Sequence, residues 1–220
     1  RGGDYDRGVT SLHEQVYCLA TSRDGIRWNR PSLGLVEFGG SMDNNILLTE
    51  KDEALGYICH NFSPFLDSNP AAPKSERYKA VGGGPLFALV SADGVHWRKA
   101  TDKPIITEGA FDSQNLAFWD SIRGEYRAYH RQFRNGRDIM TETSARFSSG
   151  WTKPVFLEYA PERGGELYTN QITPYKRAPH IFIGFPTRYE DRGLNPATRH
   201  LPQWDYRQLR SKGSLREGTG

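Results

Sequence analysis

Ser91-Ala92-Asp93-Gly94-Val95-His96-Trp97 is the stretch from which the fold is read. Its Asp-Gly pair marks a tight hairpin, because such turns need positive φ at positions that Asp and Gly tolerate. The strand-like run Leu86-Phe87-Ala88-Leu89-Val90 leads into it. The same pattern stands at Ser22-Arg23-Asp24-Gly25-Ile26-Arg27-Trp28, and in degenerate form at Ser144-Ala145-Arg146-Phe147-Ser148-Ser149-Gly150-Trp151. Each tryptophan is followed fifteen residues later by an acid: Trp28 by Asp43, Trp97 by Asp112, Trp151 by Glu166. The offset holds while the spacing between copies changes, so one local unit recurs with loops of different length.

Working outward, the remaining apolar segments are short, β-branched or aromatic, and separated by Gly, Asp, Asn and Pro, which reads as strands and not helices. They are Val16–Ala20, Ile46–Thr49, Leu55–Cys59, Tyr126–Tyr129 and His180–Phe185. From Asp43 to Trp97 they suggest a four-stranded antiparallel unit: Ile46–Thr49, Leu55–His60, a third strand Pro85–Ser91 reached through a loop over Asn61–Ser75 and Tyr78–Val81, and a fourth strand starting at Trp97. Repeated four-stranded units are the blades of a β-propeller. The predicted fold is therefore all-β, a single propeller domain over 1–220. It comprises an outer half-blade at 16–28, blades at 43–107 and 112–158, an inner half-blade at 166–189 and a loop-rich tail at 190–220. That amounts to about three blades where closure takes 4 to 8, so a partial propeller is expected.

The composition excludes several classes of function. With 29 basic and 26 acidic residues of both signs interspersed, the sequence lacks the basic runs of a nucleic-acid-binding protein. No apolar run approaches the ~18–20 residues of a membrane helix. Cys18 and Cys59 each sit in an apolar segment and read as two buried thiols, with a disulfide between them the open alternative, and Cys and His are not paired at metal-ligand spacing. No metal or other cofactor is expected.

The acids carry the chemistry. If strand directions alternate, Asp43, Asp112 and Glu166 open successive inner strands on one face, around a central funnel. Carboxylates converging there suit glycoside hydrolysis, which pairs a proton donor with an ionised partner. The candidate catalytic residues are thus Asp43, Asp112 and Glu166. Amide-bearing neighbours suited to sugar hydroxyls recur beside them, Asn44 and Asn45, Asn115, and Asn170. His60, His130, Arg131 and Arg188 are expected on the same rim as substrate-binding residues. The recurring tryptophans are read as structural, wedged between blades.

The two intact hairpins are similar to the Ser-x-Asp-x-x-x-Trp hairpins of the five-bladed β-propeller glycosidases, the superfamily of arabinanases, β-xylosidases, invertases and mannoside phosphorylases. The order Asp43, Asp112, Glu166 also resembles that family. The resemblance covers about residues 16–189. It implies five blades in a whole propeller, Asp43 as base or nucleophile, Asp112 tuning the site or holding sugar, and Glu166 as general acid. An extracellular or periplasmic location is implied too, although the sequence carries no targeting segment. Asp43 is followed by Asn44-Asn45 where many members have Pro, and a half-blade precedes it. Two alternatives stay open: a carbohydrate-binding propeller without catalysis, and a phosphorylase in which His130, Arg131 and Arg188 bind phosphate.

Overall fold

The structure is a computed structural model describing residues 15–52, 54–160, 162, 164–191, 196–205 and 218–219. It is all-β, with helix among the described residues limited to single turns. Two four-stranded antiparallel meanders form its body. The first runs β5 (Ser63–Leu66), β6 (Tyr78–Gly83), β7 (Leu86–Ser91) and β8 (Arg98–Lys99), hydrogen-bonded in that order. The second runs β9 (Leu116–Asp120), β10 (Glu125–Phe133), β11 (Arg137–Ser144) and β12 (Val155–Phe156), again in chain order. Small sheets flank them. β1 (Val16–Cys18) pairs with β4 (Ile46–Thr49), and β2 (Thr21–Ser22) with β3 (Trp28–Asn29). On the other side of the second meander in sequence, β13 (Glu166–Leu167) pairs with β16 (Arg188–Asp191), β14 (Thr173–Pro174) with β15 (Phe182–Ile183), and β17 (Gly218–Thr219) with β16.

The second meander falls where the sequence placed it. The first departs from expectation in two respects. Leu55–Cys59 is no strand: Gly56–Cys59 is a 3-10 turn, opened by the Asp52 carboxylate, which accepts the N–H groups of Ala54 and Leu55 at 2.8 and 2.7 Å. Leu55, Ile58, Cys59 and Phe62 are spaced as one helical face, and all four are buried in one cluster with Leu48, Ala80 and Leu89. The strand beside β6 is instead Ser63–Leu66, within the segment read as loop. The unit expected from Asp43 to Trp97 is consequently divided between two sheets, since Ile46–Thr49 pairs with Val16–Cys18.

The recurring hairpins are alike atom by atom. Ser22 Oγ accepts the N–H of Gly25 at 2.8 Å, and Ser91 Oγ that of Gly94 at 2.9 Å. Asp24 Oδ1 accepts two backbone N–H groups at 2.8 Å, and Asp93 Oδ1 does the same. Gly25 and Gly94 take the positive φ the turn requires, 74° and 78°. Each indole N–H then donates back into its own turn: Trp28 to Gly25 O, Trp97 to Gly94 O, and Trp151 to Phe147 O. Burial differs between copies. Trp97 packs edge-on against Phe62, with ring centroids 4.9 Å apart. Trp151 packs on a core shared by both meanders, which includes Val81, Leu86, Val90, Tyr126 and Phe147. Trp28, expected to wedge like the others, is 60% exposed, because no neighbouring sheet covers it among the described residues. Cys18, expected buried, is exposed at the end of β1, while Cys59 is buried; neither is in a disulfide.

Candidate functional site

The end of the β10–β11 ladder that carries the Arg134–Gly136 turn gathers the charged residues. Arg131 lies opposite Ile139, and Phe133 opposite Arg137. Arg131 and Arg137 are therefore diagonal neighbours on one face, rooted about 7–8 Å apart. Each holds one of the candidate acids. Arg131 Nη2 donates to Asp112 Oδ1 in a close ion pair. Glu166 Oε2 accepts from Arg137 Nη1 at 2.8 Å and from the Arg137 backbone N–H at 2.9 Å. The turn residue Gly136 sits directly under this carboxylate, where an added Cβ would meet Glu166 Cγ at 2.6 Å.

Tyr168 links the two ion pairs. The Arg131 guanidinium lies 4.8 Å from its ring centroid and that of Arg137 lies 5.4 Å away. Arg137 also lies 4.1 Å from the ring centroid of Tyr189. Arg131, Tyr168, Arg137 and Tyr189 thus form one cation–π series, worth roughly 0.5–2 kcal/mol per contact depending on exposure. Tyr168 is anchored through its backbone: its N–H donates to Thr187 O at 2.7 Å, and its carbonyl accepts from Ser113 Oγ at 2.7 Å. The last bond fastens the entry to β9, with Asp112, beside the strand that carries Glu166.

The charges are placed unequally. The Arg131 side chain is 4% exposed, whereas that of Asp112 is 72% exposed. A buried guanidinium is thereby matched by a carboxylate that reaches in from solvent. Arg137 and Glu166 are both about one-quarter to one-third exposed, at 26% and 32%. Each carboxylate thus accepts a charge-assisted hydrogen bond from a guanidinium.

The other expected site residues occupy a range of places. Asp43 is exposed in the loop before β4, where its backbone N–H donates to Ser41 Oγ. No hydrogen bond or ion pair joins it to Asp112 or Glu166 among the described residues. Asn44 and Asn45 brace that loop, donating to the carbonyls of Val36 and Ser41 and of Leu19. His60 is half-buried between Gln15 and Asn61, and Asn61 in turn donates to the carbonyl of Phe111, next to Asp112. His130, expected on the rim, is fully buried, with Nε2 2.8 Å from Glu142 Oε1. Asn115 and Asn170 are likewise buried and spend their amides on backbone carbonyls, those of Phe111 and Ser113 and those of Gln114 and Tyr129. Arg188 pairs with Glu190 at 2.8 Å and stands one position out of step with Tyr189, the residue facing Glu166 across β13 and β16.

Neither Asp112 nor Glu166 lines either of two hollows. An apolar one of about 580 Å³ runs beneath Trp97, between Tyr17, Phe62 and Phe65. A polar one of about 500 Å³ is lined by Arg134, Asn135, Glu158, Tyr159 and Glu162. The rim at Asp112 and Glu166 is an open cluster of ion pairs around Tyr168. Among its members the sequence reading missed Arg137, Tyr168 and Gly136. No family model, curated protein or solved structure matches the chain.

Proposed function

We propose that this chain belongs to a β-propeller enzyme of the glycoside hydrolase type, cleaving the glycosidic bonds of an oligo- or polysaccharide at the rim that carries Asp112 and Glu166. The observation that carries this reading is the convergence of these two acids. They come from different sheets and are held by neighbouring arginines across one tyrosine ring. The two four-stranded meanders are the blades of the propeller, which in this reading closes with further units. Asp43, the third acid of the repeat, opens β4 at a comparable place and serves as the more distant member of the set.

Hydrolysis requires one of the acids to carry a proton. In this reading Glu166 is the proton donor and Asp112, held on Arg131, is the second acid. Replacing Glu166 with Gln keeps shape and removes the donor. Hydrolysis of an unactivated oligosaccharide should fall by roughly 10²–10⁴-fold, the usual contribution of general acid catalysis. An aryl glycoside with a good leaving group should lose much less. Equal losses on both substrates would take the proton donor's role away from Glu166, and a wild-type chain that hydrolyses neither would remove the enzyme reading.

One observation favours a second reading. Both carboxylates are already ion-paired, so the rim could accept sugar hydroxyls without catalysing their transfer, as a carbohydrate-binding module. The phosphorylase alternative gains nothing comparable, since His130 is spent on Glu142 and Arg131 on Asp112.

A further inference from the structure

We infer that Tyr189 is the residue against which a neutral sugar ring lies at this rim, and that it selects ligands by their apolar C–H face. The inference rests on the carbohydrate reading above and adds the ligand-facing surface. Tyr189 is directly opposite Glu166 in the β13–β16 register, so the two side chains leave the sheet on the same side, from Cα atoms about 4.5–5.5 Å apart. Its orientation is fixed by the acid: Arg137 binds Glu166 at 2.8 Å and covers the Tyr189 ring at 4.1 Å from the centroid. A ring fastened in this way pays little conformational cost when a ligand arrives.

The chemistry of the surroundings narrows the ligand. Tyr168 stands 6.4 Å from Tyr189 at a tilt of 34°, so the rings form a shallow angle and not a closed slot. Neither phenol hydroxyl has a hydrogen-bond partner among the described residues, and both rings are only half-buried. An apolar surface edged by open hydroxyls and a carboxylate matches a pyranose or furanose, which offers C–H groups on one face and hydroxyls around its edge. The two arginines that lie over these rings are each paired with a carboxylate, Arg131 with Asp112 and Arg137 with Glu166, which favours a neutral ligand over an anionic one.

The test uses xylotetraose, mannotetraose and arabinotetraose as probes, with affinity measured by titration calorimetry and the bound face by saturation-transfer NMR. For a probe that binds the wild type, Tyr189→Ala should weaken affinity about tenfold or more, as loss of a central aromatic anchor does. Tyr189→Phe and Tyr189→Trp should stay within about threefold, because both keep the ring plane. Saturation transfer to the sugar C–H protons should fade in the Ala variant and persist in the other two. The Phe and Trp variants keep the test valid if the Ala variant folds poorly. Unchanged affinity in the Ala variant, or equal losses in Ala and Phe, would overturn stacking while leaving the carbohydrate reading in place. Binding of none of the probes to the wild type would overturn both.

Discussion

Replacing Trp97 with Ala, beside the same change at Trp28, separates what the repeat encodes from what its surroundings supply. The two hairpins have nearly the same internal bonds, including the indole N–H to the turn carbonyl at 3.0 Å for Trp97 and 3.2 Å for Trp28. Loss of that bond therefore cancels between the variants. What remains is packing. Trp97 is half-buried on the cluster of Leu48, Ile58, Phe62 and Leu89 and meets Phe62 edge-on at 4.9 Å. A fully buried Trp→Ala change costs about 3–5 kcal/mol, and half burial brings this to about 2–3 kcal/mol, including the aromatic pair. Trp28 is 60% exposed, so its loss should stay within about 0.5 kcal/mol, as for other surface positions. Urea unfolding followed by circular dichroism measures both. With a slope of about 2–3 kcal/mol/M, the Trp97 midpoint should drop by about 1 M and that of Trp28 should hardly move. Equal losses at the two positions would refute the reasoning, because a neighbour would then have to cover Trp28 as one covers Trp97.

Two further predictions concern charge. The His96 side chain, together with the backbone N–H groups of His96 and Val95, holds the Asp93 carboxyl well below the usual carboxylate range. A depressed folded-state value means that the stabilisation is present above the unfolded value near pH 4 and is lost as pH falls through the folded one. Asp93→Asn should therefore destabilise the chain at pH 7, by less than about 1 kcal/mol given the exposure of the pair, and the gap to wild type should close in strong acid. Thermal unfolding across pH 2–7 checks this, and a gap that widens in acid would contradict it. The buried pair of His130 and Glu142 behaves differently. His130→Ala leaves the buried Glu142 carboxyl group without its hydrogen-bond partner and should cost about 1–3 kcal/mol for that group alone, whereas His130→Leu with Glu142→Met should cost far less than the sum of the single changes. A double-mutant cycle in urea measures the difference, and additive losses would count against the pairing.

The second meander was legible because β10 and β11 are long, the turns on either side of β10 are short and Asp120 holds the one between β9 and β10, accepting the backbone N–H groups of Ile122 and Arg123 at 3.1 and 3.2 Å. The first meander was misread for two physical reasons. Leu55, Ile58, Cys59 and Phe62 recur at helical spacing behind an Asp, but the aromatic and β-branched composition of the run reads as strand. Ser63-Pro64-Phe65-Leu66 contains a proline, which argues against a central strand, yet β5 is the edge of its sheet, where a missing N–H costs nothing on the open side. Position within the sheet decided both outcomes, and position is not written in any local window.

The site shows the same limit more sharply. The fifteen-residue offset singled out Asp112 and Glu166, and each is ion-paired with an arginine beside Tyr168, whereas Asp43 has no such tie to either of them among the described residues. What holds them there depends on the register of β10 against β11, which sets Arg131 and Arg137 on a common face around Tyr168. A slip of one residue between β10 and β11 would set the two arginines on opposite faces and take one of the carboxylates' cations away. His130, next to Arg131, shows the consequence of alternation: in a central strand covered on both sides, its imidazole turns inward to Glu142 while Arg131 turns toward Asp112. Matching the repeat alone had placed both on the rim. The acids are thus readable from spacing, but their electrostatic state is set by strand pairing. The guanidinium that holds Glu166 belongs to an arginine 29 residues away in sequence.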